Sequence, residues 1–332
     1  MMKTPKFWYP PAQRVTFLGR LISYGLWPLS LLWRLGAWGK KISAKPYRAH
    51  INVVAVGNIT AGGTGKTPLV ASIAIQATKA GMRPYILTRG HGGREEGPHL
   101  VRQEDTAAQV GDEAKWLSQF ASVVVAANRG EGAKWIDDHA LASRLIIMDD
   151  GLQNTSIAPH LRIAVFSGNL GVGNGKIMPA GPLREALTPG ITGVDAVVIT
   201  GDDQAGFGKM LASAFPHKPM FSVRRHLHPD AIARITSPVV AFAGIGNPDG
   251  FFAMLEAAGV TLNARHVFAD HHPYSQAELT ALKSNAAKAG AMLVTTEKDL
   301  TRIAPEHREG ISAMPLVSEV DAGLMDMVMK KR

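Results

Sequence analysis

The sequence predicts an α/β protein: a doubly wound, mostly parallel sheet, with a second, smaller α/β domain after it and a helical segment before it. Three observations carry this expectation. From residue 51 onward, short continuous apolar runs alternate with helical patterns, the signature of strands buried on both faces. The apolar run INVVAVGN leads directly into the glycine-rich stretch TAGGTGKTP (60–68). Charge is polarised, with nine basic and no acidic side chains in residues 1–50 and 27 of each in the remainder.

At 332 residues the chain is long enough for two domains, and 46% hydrophobic with 19% charged residues excludes disorder as the main state. Cysteine is absent, which excludes disulfides and thiolate metal sites.

The first element in order is the segment 1–50. Between Arg20 and Arg34 lie thirteen uncharged residues, LISYGLWPLSLLW, fewer than the roughly 20 that a membrane-spanning helix needs. Positions 15, 18, 22, 26, 29 and 33 form one apolar helical stripe. Trp27, Leu31 and Trp38 fall on other faces, so a helix in water would leave much apolar area wet. Pro28 kinks the segment or starts a second helix. Four of the six tryptophans (Trp8, Trp27, Trp33, Trp38) sit here among lysines and arginines, a combination suited to lipid headgroups. The expectation is a membrane-associated helix or helical hairpin lying on the membrane surface. A helix packed on the body and a secretory signal compete with it, the signal lacking an A-x-A cleavage site. A nucleic-acid binder is disfavoured, because the basic segment is apolar rather than polar with stackable aromatics on a sheet.

Residues 51–235 read as the main core. Strands are expected at INVVAVGN, MRPYILTRG, SVVVAANR, RLIIMDD, LRIAVFS and DAVVITG, and helices at PLVASIAIQATKAG, DTAAQVGDEAKWLSQF and EGAKWIDDHA. A smaller unit is expected over 236–332. It reads as strand PVVAFAG, helix FFAMLEAAG, strand VTLNARHVF, a helix over 276–289, and strands AMLVTTEKD and AMPLVSEV. AFAGIGNPDGF contains Gly-x-Gly but not the third glycine of a dinucleotide fingerprint, so it reads as a strand-to-helix turn.

Thr60, Ala61, Gly62, Gly63, Thr64, Gly65, Lys66 and Thr67 form a phosphate loop of the P-loop NTPase type, with Thr60 where the first glycine usually stands. Glycines let backbone N–H groups turn inward around phosphate oxygens, the lysine bridges the terminal phosphates, and Thr67 is the magnesium ligand. Pro68 falls in the first helical turn, where no N–H is required. A nucleoside triphosphate with magnesium is therefore expected.

LIIMDDGLQN ends a buried strand in Asp149 and Asp150, as a Walker B element does, with Asp149 facing the metal. In VGDEA, Glu113 reads as favourable charge at a helix start, whereas Asp112 is either that or the base that deprotonates an acceptor hydroxyl. In ADHHPY, adjacent histidines on an extended chain point opposite ways, so structural or surface histidines outweigh a metal site. GNGKIMPAGPLRE ends in Arg184, suited to stabilising phosphoryl charge, and Glu185, suited to magnesium; an ordinary mobile loop is the equal alternative.

Taken together, GNITAGGTGKTP, TRGHGG, VGDEA, DDGLQ, NGKIMPAGPLRE, ADHHPY and TTEKD resemble the tetraacyldisaccharide 4'-kinase family, the lipid A 4'-kinases of Gram-negative inner membranes. The resemblance implies transfer of the γ-phosphoryl group of ATP to the 4'-hydroxyl of a tetraacylated glucosamine disaccharide 1-phosphate. It places the reaction at the cytoplasmic face of the inner membrane and calls for no nucleic acid or protein partner. It further implies that Lys66 bridges the β- and γ-phosphates, that Thr67 holds magnesium, and that Asp112 is the base with His271 as its dyad partner. Asp149 and Asp150 would lie near magnesium, with Glu185 after Pro-Leu-Arg. Arg89 and His91 fall in what is usually Arg-Gly-Tyr-Gly-Gly, with His91 replacing the tyrosine, and Asn154 stands where the family has histidine. The alternative is a membrane-associated switch ATPase acting on a protein partner. Its loop usually carries a lysine just before the paired glycines, where this chain has Ala61.

Overall fold

A computed structural model describes residues 5–9, 16–140 and 142–330. Val15, expected to open the apolar stripe, and the basic residues Lys3 and Arg14 lie outside the described residues.

The strands in chain order are β1 (Asn52–Gly57), β2 (Pro84–Thr88), β3 (His99–Leu100), β4 (Ser122–Val125), β5 (Leu145–Asp149), β6 (Leu161–Ser167), β7 (Ala196–Thr200) and β8 (Met220–Leu227). They continue with β9 (Val239–Ala243), β10 (Leu262–Val267), β11 (Met292–Thr296), β12 (Ile311–Met314) and β13 (Leu316–Glu319). A nine-stranded sheet runs in the order β13-β8-β7-β6-β1-β5-β2-β4-β3, and a four-stranded one in the order β10-β9-β11-β12. All pairings are parallel except those of the two edge strands β3 and β13. β1 lies at the switch point, flanked by β5 and β6, so the loop leaving its C-terminal end opens into the crevice where ligands of such sheets bind.

Alternate residues along the apolar strands feed two separate cores. On one face, Val54 and Val56 join α3 (Lys66–Lys79), α4 (Ala107–Val110) and α5 (Asp112–Leu117). On the other, Val53 and Ala55 meet α6 (Arg129–His139), α7 (Leu187–Thr192) and α8 (Phe207–Ala214). The second sheet repeats the scheme, with α9 (Pro229–Ala233) and α10 (Pro248–Ala257) on one side, α11 (Gln276–Lys288) on the other, and α12 (Glu297–Arg302) following β11.

Two expectations change. AMPLVSEV is not one strand: β12 and β13 are separated by Pro315 and belong to different sheets. The chain therefore does not stay with the second sheet to residue 332. β13 pairs antiparallel with β8, and α13 (Ala322–Met329) buries Leu324, Met325 and Val328 in the same core as α3. β8 itself was not anticipated, because MFSVRRHL has neither a continuous apolar run nor clean alternation.

The N-terminal segment forms α1 (Phe17–Gly25), capped by Thr16, and α2 (Trp27–Ser43), whose first turn contains Pro28; the proline starts a second helix. Their buried residues are Gly19, Ser23 and Ser30, whereas Phe17, Leu18, Leu21, Leu32 and Trp38 are each more than 60% exposed. Small polar side chains thus face the protein and large apolar ones face away, the reverse of a helix in water. Ser23 donates to the carbonyl of Ala180 (2.7 Å), Ser30 to that of Ile177 (2.9 Å) and Trp33 to that of Arg184 (3.0 Å). No helix among the described residues is long and apolar enough to cross a membrane.

If the C-terminal return is part of the first core, Leu324→Ala should cost about 2–5 kcal/mol by urea denaturation, as for a fully buried leucine. A loss below about 1 kcal/mol would mean that α13 only rests on the surface.

Candidate active site

The loop after β1 is held on both sides. Thr60 bridges Leu183 in an antiparallel contact, the Ala61 N–H donates to Pro182 O (2.7 Å), and the Arg184 N–H donates to Ile59 O (2.7 Å). On the other flank Thr200, at the end of β7, donates to Thr64 O (2.7 Å). The segment ending in Pro-Leu-Arg-Glu is therefore a docked wall of the site, not an ordinary mobile loop. Around this loop Asn58 Oδ1, Thr64 Oγ1 and Asp149 Oδ1 are buried without a hydrogen-bond partner. Buried polar atoms left in that state are costly, so their concentration marks a ligand site.

Asp149 and Asp150 leave the end of β5 in different directions. Asp149 is buried beneath the loop, and burial, reinforced by the nearby Glu113 charge, pushes its carboxyl up from the usual range. A bound cation would reverse that cost. Asp150 adopts a left-handed backbone (φ 52°) and turns outward. It accepts two hydrogen bonds from Arg184 Nη1 (2.9 and 3.0 Å) and lies 3.7 Å from Lys66 Nζ. Burial raises Asp150, but these two cations outweigh it and hold the carboxyl below its ordinary value. Glu185 accepts from Gln153 Nε2 (2.9 Å), which also donates to Asn58 O (3.1 Å).

The second half of the site comes from α5 and the second sheet. Gly111 (φ 90°) breaks the expected long helix into α4 and α5, and a Cβ there would lie 2.7 Å from His91 O. The break puts Asp112 and Glu113 in the first turn of α5. Asp112 Oδ2 lies 2.7 Å from His271 Nδ1; an ionised carboxylate can only accept, so Nδ1 donates. The same oxygen receives Arg302 Nε (2.8 Å) and pairs with Nη2 (2.6 Å). Burial raises Asp112, but the His271 hydrogen bond and the Arg302 charge outweigh it, so the carboxyl lies well below its usual range. His271 is raised, chiefly by its hydrogen bond to Asp112. His271 (φ 62°) and Asp150 are the two non-glycine residues with positive φ among the described residues, and both belong to this site.

Glu113 joins the halves. Its Oε1 accepts from Thr67 Oγ1 (3.1 Å) and from Lys298 Nζ (2.7 Å), and the ammonium holds its carboxyl well down. Arg302 also donates to Asp299 Oδ1 (2.9 Å), a carboxylate with no exposure that is further satisfied by Tyr274 and Thr296. A nucleotide-type loop, a carboxylate–imidazole pair and a buried acid beneath the loop are thus brought together through Glu113.

The family model for tetraacyldisaccharide-1-P 4'-kinase matches residues 22–332. The chain belongs to this kinase family. It is similar to the tetraacyldisaccharide 4'-kinase of Rhodospirillum centenum, 39% identical over 320 residues that cover 95% of this chain and 92% of that one. Another of that name, from Parvibaculum lavamentivorans, is 42% identical over 311 residues, covering 91% and 87%. A crystal structure of LpxK from Aquifex aeolicus in complex with ATP has the same fold, with a TM-score of 0.71 at 24% identity, covering 92% of this chain and 98% of that one.

Against the motifs quoted for the tetraacyldisaccharide 4'-kinase family, the structure joins some expected residues and separates others. Lys66, Asp150 and Arg184 meet, as do Asp112 and His271. Glu185 is turned to Gln153, and among the described residues no three acidic or histidine side chains converge as a metal cage. Magnesium needs no such cage, because one or two carboxylates with phosphate oxygens suffice, and Thr67 with the orphaned Asp149 oxygen fits that demand. His272 pairs with Glu278 (3.0 Å), a structural role, and the His91 and His271 rings stand roughly perpendicular with centroids 6.4 Å apart. Asn154 closes a local turn by accepting from Ser156. Sequence reasoning missed Lys298 and Arg302, and it read Glu113 only as helix-start charge. The available signal was two cations one helical turn apart in TTEKDLTR, matched in number to the two adjacent acids of VGDEA.

Arg302→Ala would leave Asp112 and Asp299 buried without their shared cation. Removing one member of such a buried group costs about 3–5 kcal/mol. A urea titration showing less than about 1 kcal/mol would mean that these charges are effectively solvated.

Proposed function

We propose that this protein transfers the γ-phosphoryl group of ATP to the 4'-hydroxyl of tetraacyldisaccharide 1-phosphate, giving lipid IVA, at the cytoplasmic face of a Gram-negative inner membrane. The observation that supports this best is the continuity from Thr67 through Glu113 to Asp112 and His271, which sets a proton-accepting pair beside a triphosphate loop.

Phosphoryl transfer asks mainly for alignment and charge neutralisation. In this reading the backbone of residues 60–67 cradles the phosphates, and Lys66 with Arg184 exchanges Asp150 for phosphoryl oxygens. Thr67 and Asp149 would hold magnesium, with Asp150 beside them and Glu185 linked to the site through Gln153. Bound there, the ion would neutralise charge on the β- and γ-phosphates. Asp112 remains ionised and keeps the His271 Nδ1 proton directed at itself, so the pair takes up the acceptor proton as a unit. The second sheet acts as a smaller domain whose seating on α5 completes the site and excludes water.

The outward apolar faces of α1 and α2 support membrane association. These helices would lie in the leaflet with Arg34, Lys40 and Lys41 toward anionic headgroups, holding the crevice beside the acyl chains. The depth needed is that of an interfacial helix, since neither is long enough to span.

The direct test supplies γ-labelled ATP and tetraacyldisaccharide 1-phosphate in detergent micelles. Label should enter the lipid, and Asp112→Ala should reduce turnover by about 10²–10⁴-fold while ATP still binds. ATP consumption that needs a protein partner instead of the lipid would favour a switch ATPase. For the anchor, replacing Leu18, Leu21 and Leu32 with Ser should reduce co-sedimentation with anionic vesicles without lowering thermal stability. Unchanged sedimentation would remove these helices from the membrane contact.

A further inference from the structure

The sheet order gives the phosphate loop two sides. Asp150, Arg184 and Lys66 gather on the side of β5, where the reacting end of a triphosphate belongs. On the opposite side, beyond β6, the ends of β7 and β8 approach the same loop. Thr200 of β7 bonds Thr64, and Arg225 of β8 reaches further back toward β1. Its Nη1 lies 2.8 Å and its Cζ 3.2 Å from where a Cβ on Gly65 would stand, and Thr200 Oγ1 lies 3.5 Å from that point. Gly65 has φ 81°, so glycine is needed there both for backbone conformation and because the guanidinium fills the space.

Among the described residues the Arg225 side chain makes no hydrogen bond and no ion pair. The nearby carboxylate of Glu319 lies opposite Arg224 in register and 3.9 Å from His226. Arg225 is half-buried, and burial pulls its guanidinium down from the ordinary value with no anion to offset it. A partly desolvated guanidinium with no acceptor beside it is unfavourable, and an anionic ligand would offset that cost. The loop also has a gap to fill. Pro68 has no N–H, and the Leu69 N–H is taken by Gly65 O (3.2 Å), so the first turn of α3 can offer a ligand only the N–H groups of Lys66 and Thr67.

We propose that Arg225 binds the phosphates of the nucleotide that are not transferred, gripping the α–β end of the chain whose γ end lies at Lys66 and Asp150. This rests on the nucleotide reading given above. It makes the guanidinium a donor-binding group with no part in proton transfer.

The test uses the full chain with Arg225→Gln and Arg225→Lys, titrated with ATP and with ADP in the presence of magnesium, and assayed for kcat and KM. Arg225→Gln should weaken ATP and ADP alike by about tenfold to a hundredfold, the range for a charge-assisted contact to phosphate. KM for ATP should rise while kcat at saturation changes less than about threefold, and Arg225→Lys should recover part of the affinity. The nucleotide-free melting temperature should hold or rise, because an unpartnered charge has been removed. Affinity lost for ATP but kept for ADP would assign the side chain to the transferred phosphate and overturn the proposal. Unchanged affinity for both would overturn it, as would a nucleotide-free melting temperature that falls in step with the affinity. Wild-type protein binding ATP in the same titration distinguishes failure of this inference from failure of the nucleotide reading, which would take both down.

Discussion

Asp112 and Glu113 are adjacent carboxylates in the first turn of α5, and burying two like charges side by side is unfavourable unless cations meet them. The positive end of the helix helps, but a helix terminus contributes only about 0.3–1 kcal/mol. Lys298 and Arg302, one turn apart on α12, supply the rest, each taking one carboxylate. This requirement fixes much else. α12 must lie against α5, which seats the second sheet on the first and brings the turn after β10, with His271, onto Asp112. Arg302 in turn needs Asp299, and Asp299 needs Tyr274, Thr296 and the Gly244 N–H, so the charge pairing extends into the second sheet.

What could be read from the sequence follows from how far each interaction reaches along the chain. β1, the phosphate loop and α3 are contiguous, and their backbone demands are met by local glycines and Pro68, so they were legible. Asp149 and Asp150 were legible as a strand end. Their different surroundings were not, because Arg184 is brought to Asp150 by a segment that docks through main-chain contacts to residues 59–61. Glu113 could not be told from ordinary helix-start charge, since its partners, Thr67 and Lys298, lie 46 and 185 residues away. β8 escaped for another reason: only Val223 and Leu227 of it are buried, and its partner β13 comes from the far end of the chain, so the strand lacks the usual apolar signature.

The N-terminal helices invert the usual logic of amphipathic packing. If these helices packed on the body through their apolar stripe, Leu18, Ile22, Leu29 and Trp33 would be buried, yet all four are exposed. Ser23 and Ser30 are the residues turned inward, because what they pack against is a row of main-chain carbonyls in the 177–184 segment, which a leucine could not satisfy.

That same segment links the two ends of the proposed reaction. Its carbonyls at 177, 180 and 184 accept from α1 and α2, while at 182 and 184 its main chain is bonded to the phosphate loop, and the Arg184 side chain reaches Asp150. Side-chain entropy makes a lone arginine on a surface loop an imprecise partner for a phosphoryl group. Here the backbone of residue 184 is tied on both sides, by Trp33 at its carbonyl and by Ile59 at its N–H, so the guanidinium starts from a fixed base. A displacement of the outer helices would therefore be felt at Arg184 before it reached Lys66, which sits on α3 inside the main core. The apolar helices and the candidate site are in this sense one mechanical unit, joined through a few hydrogen bonds to the main chain.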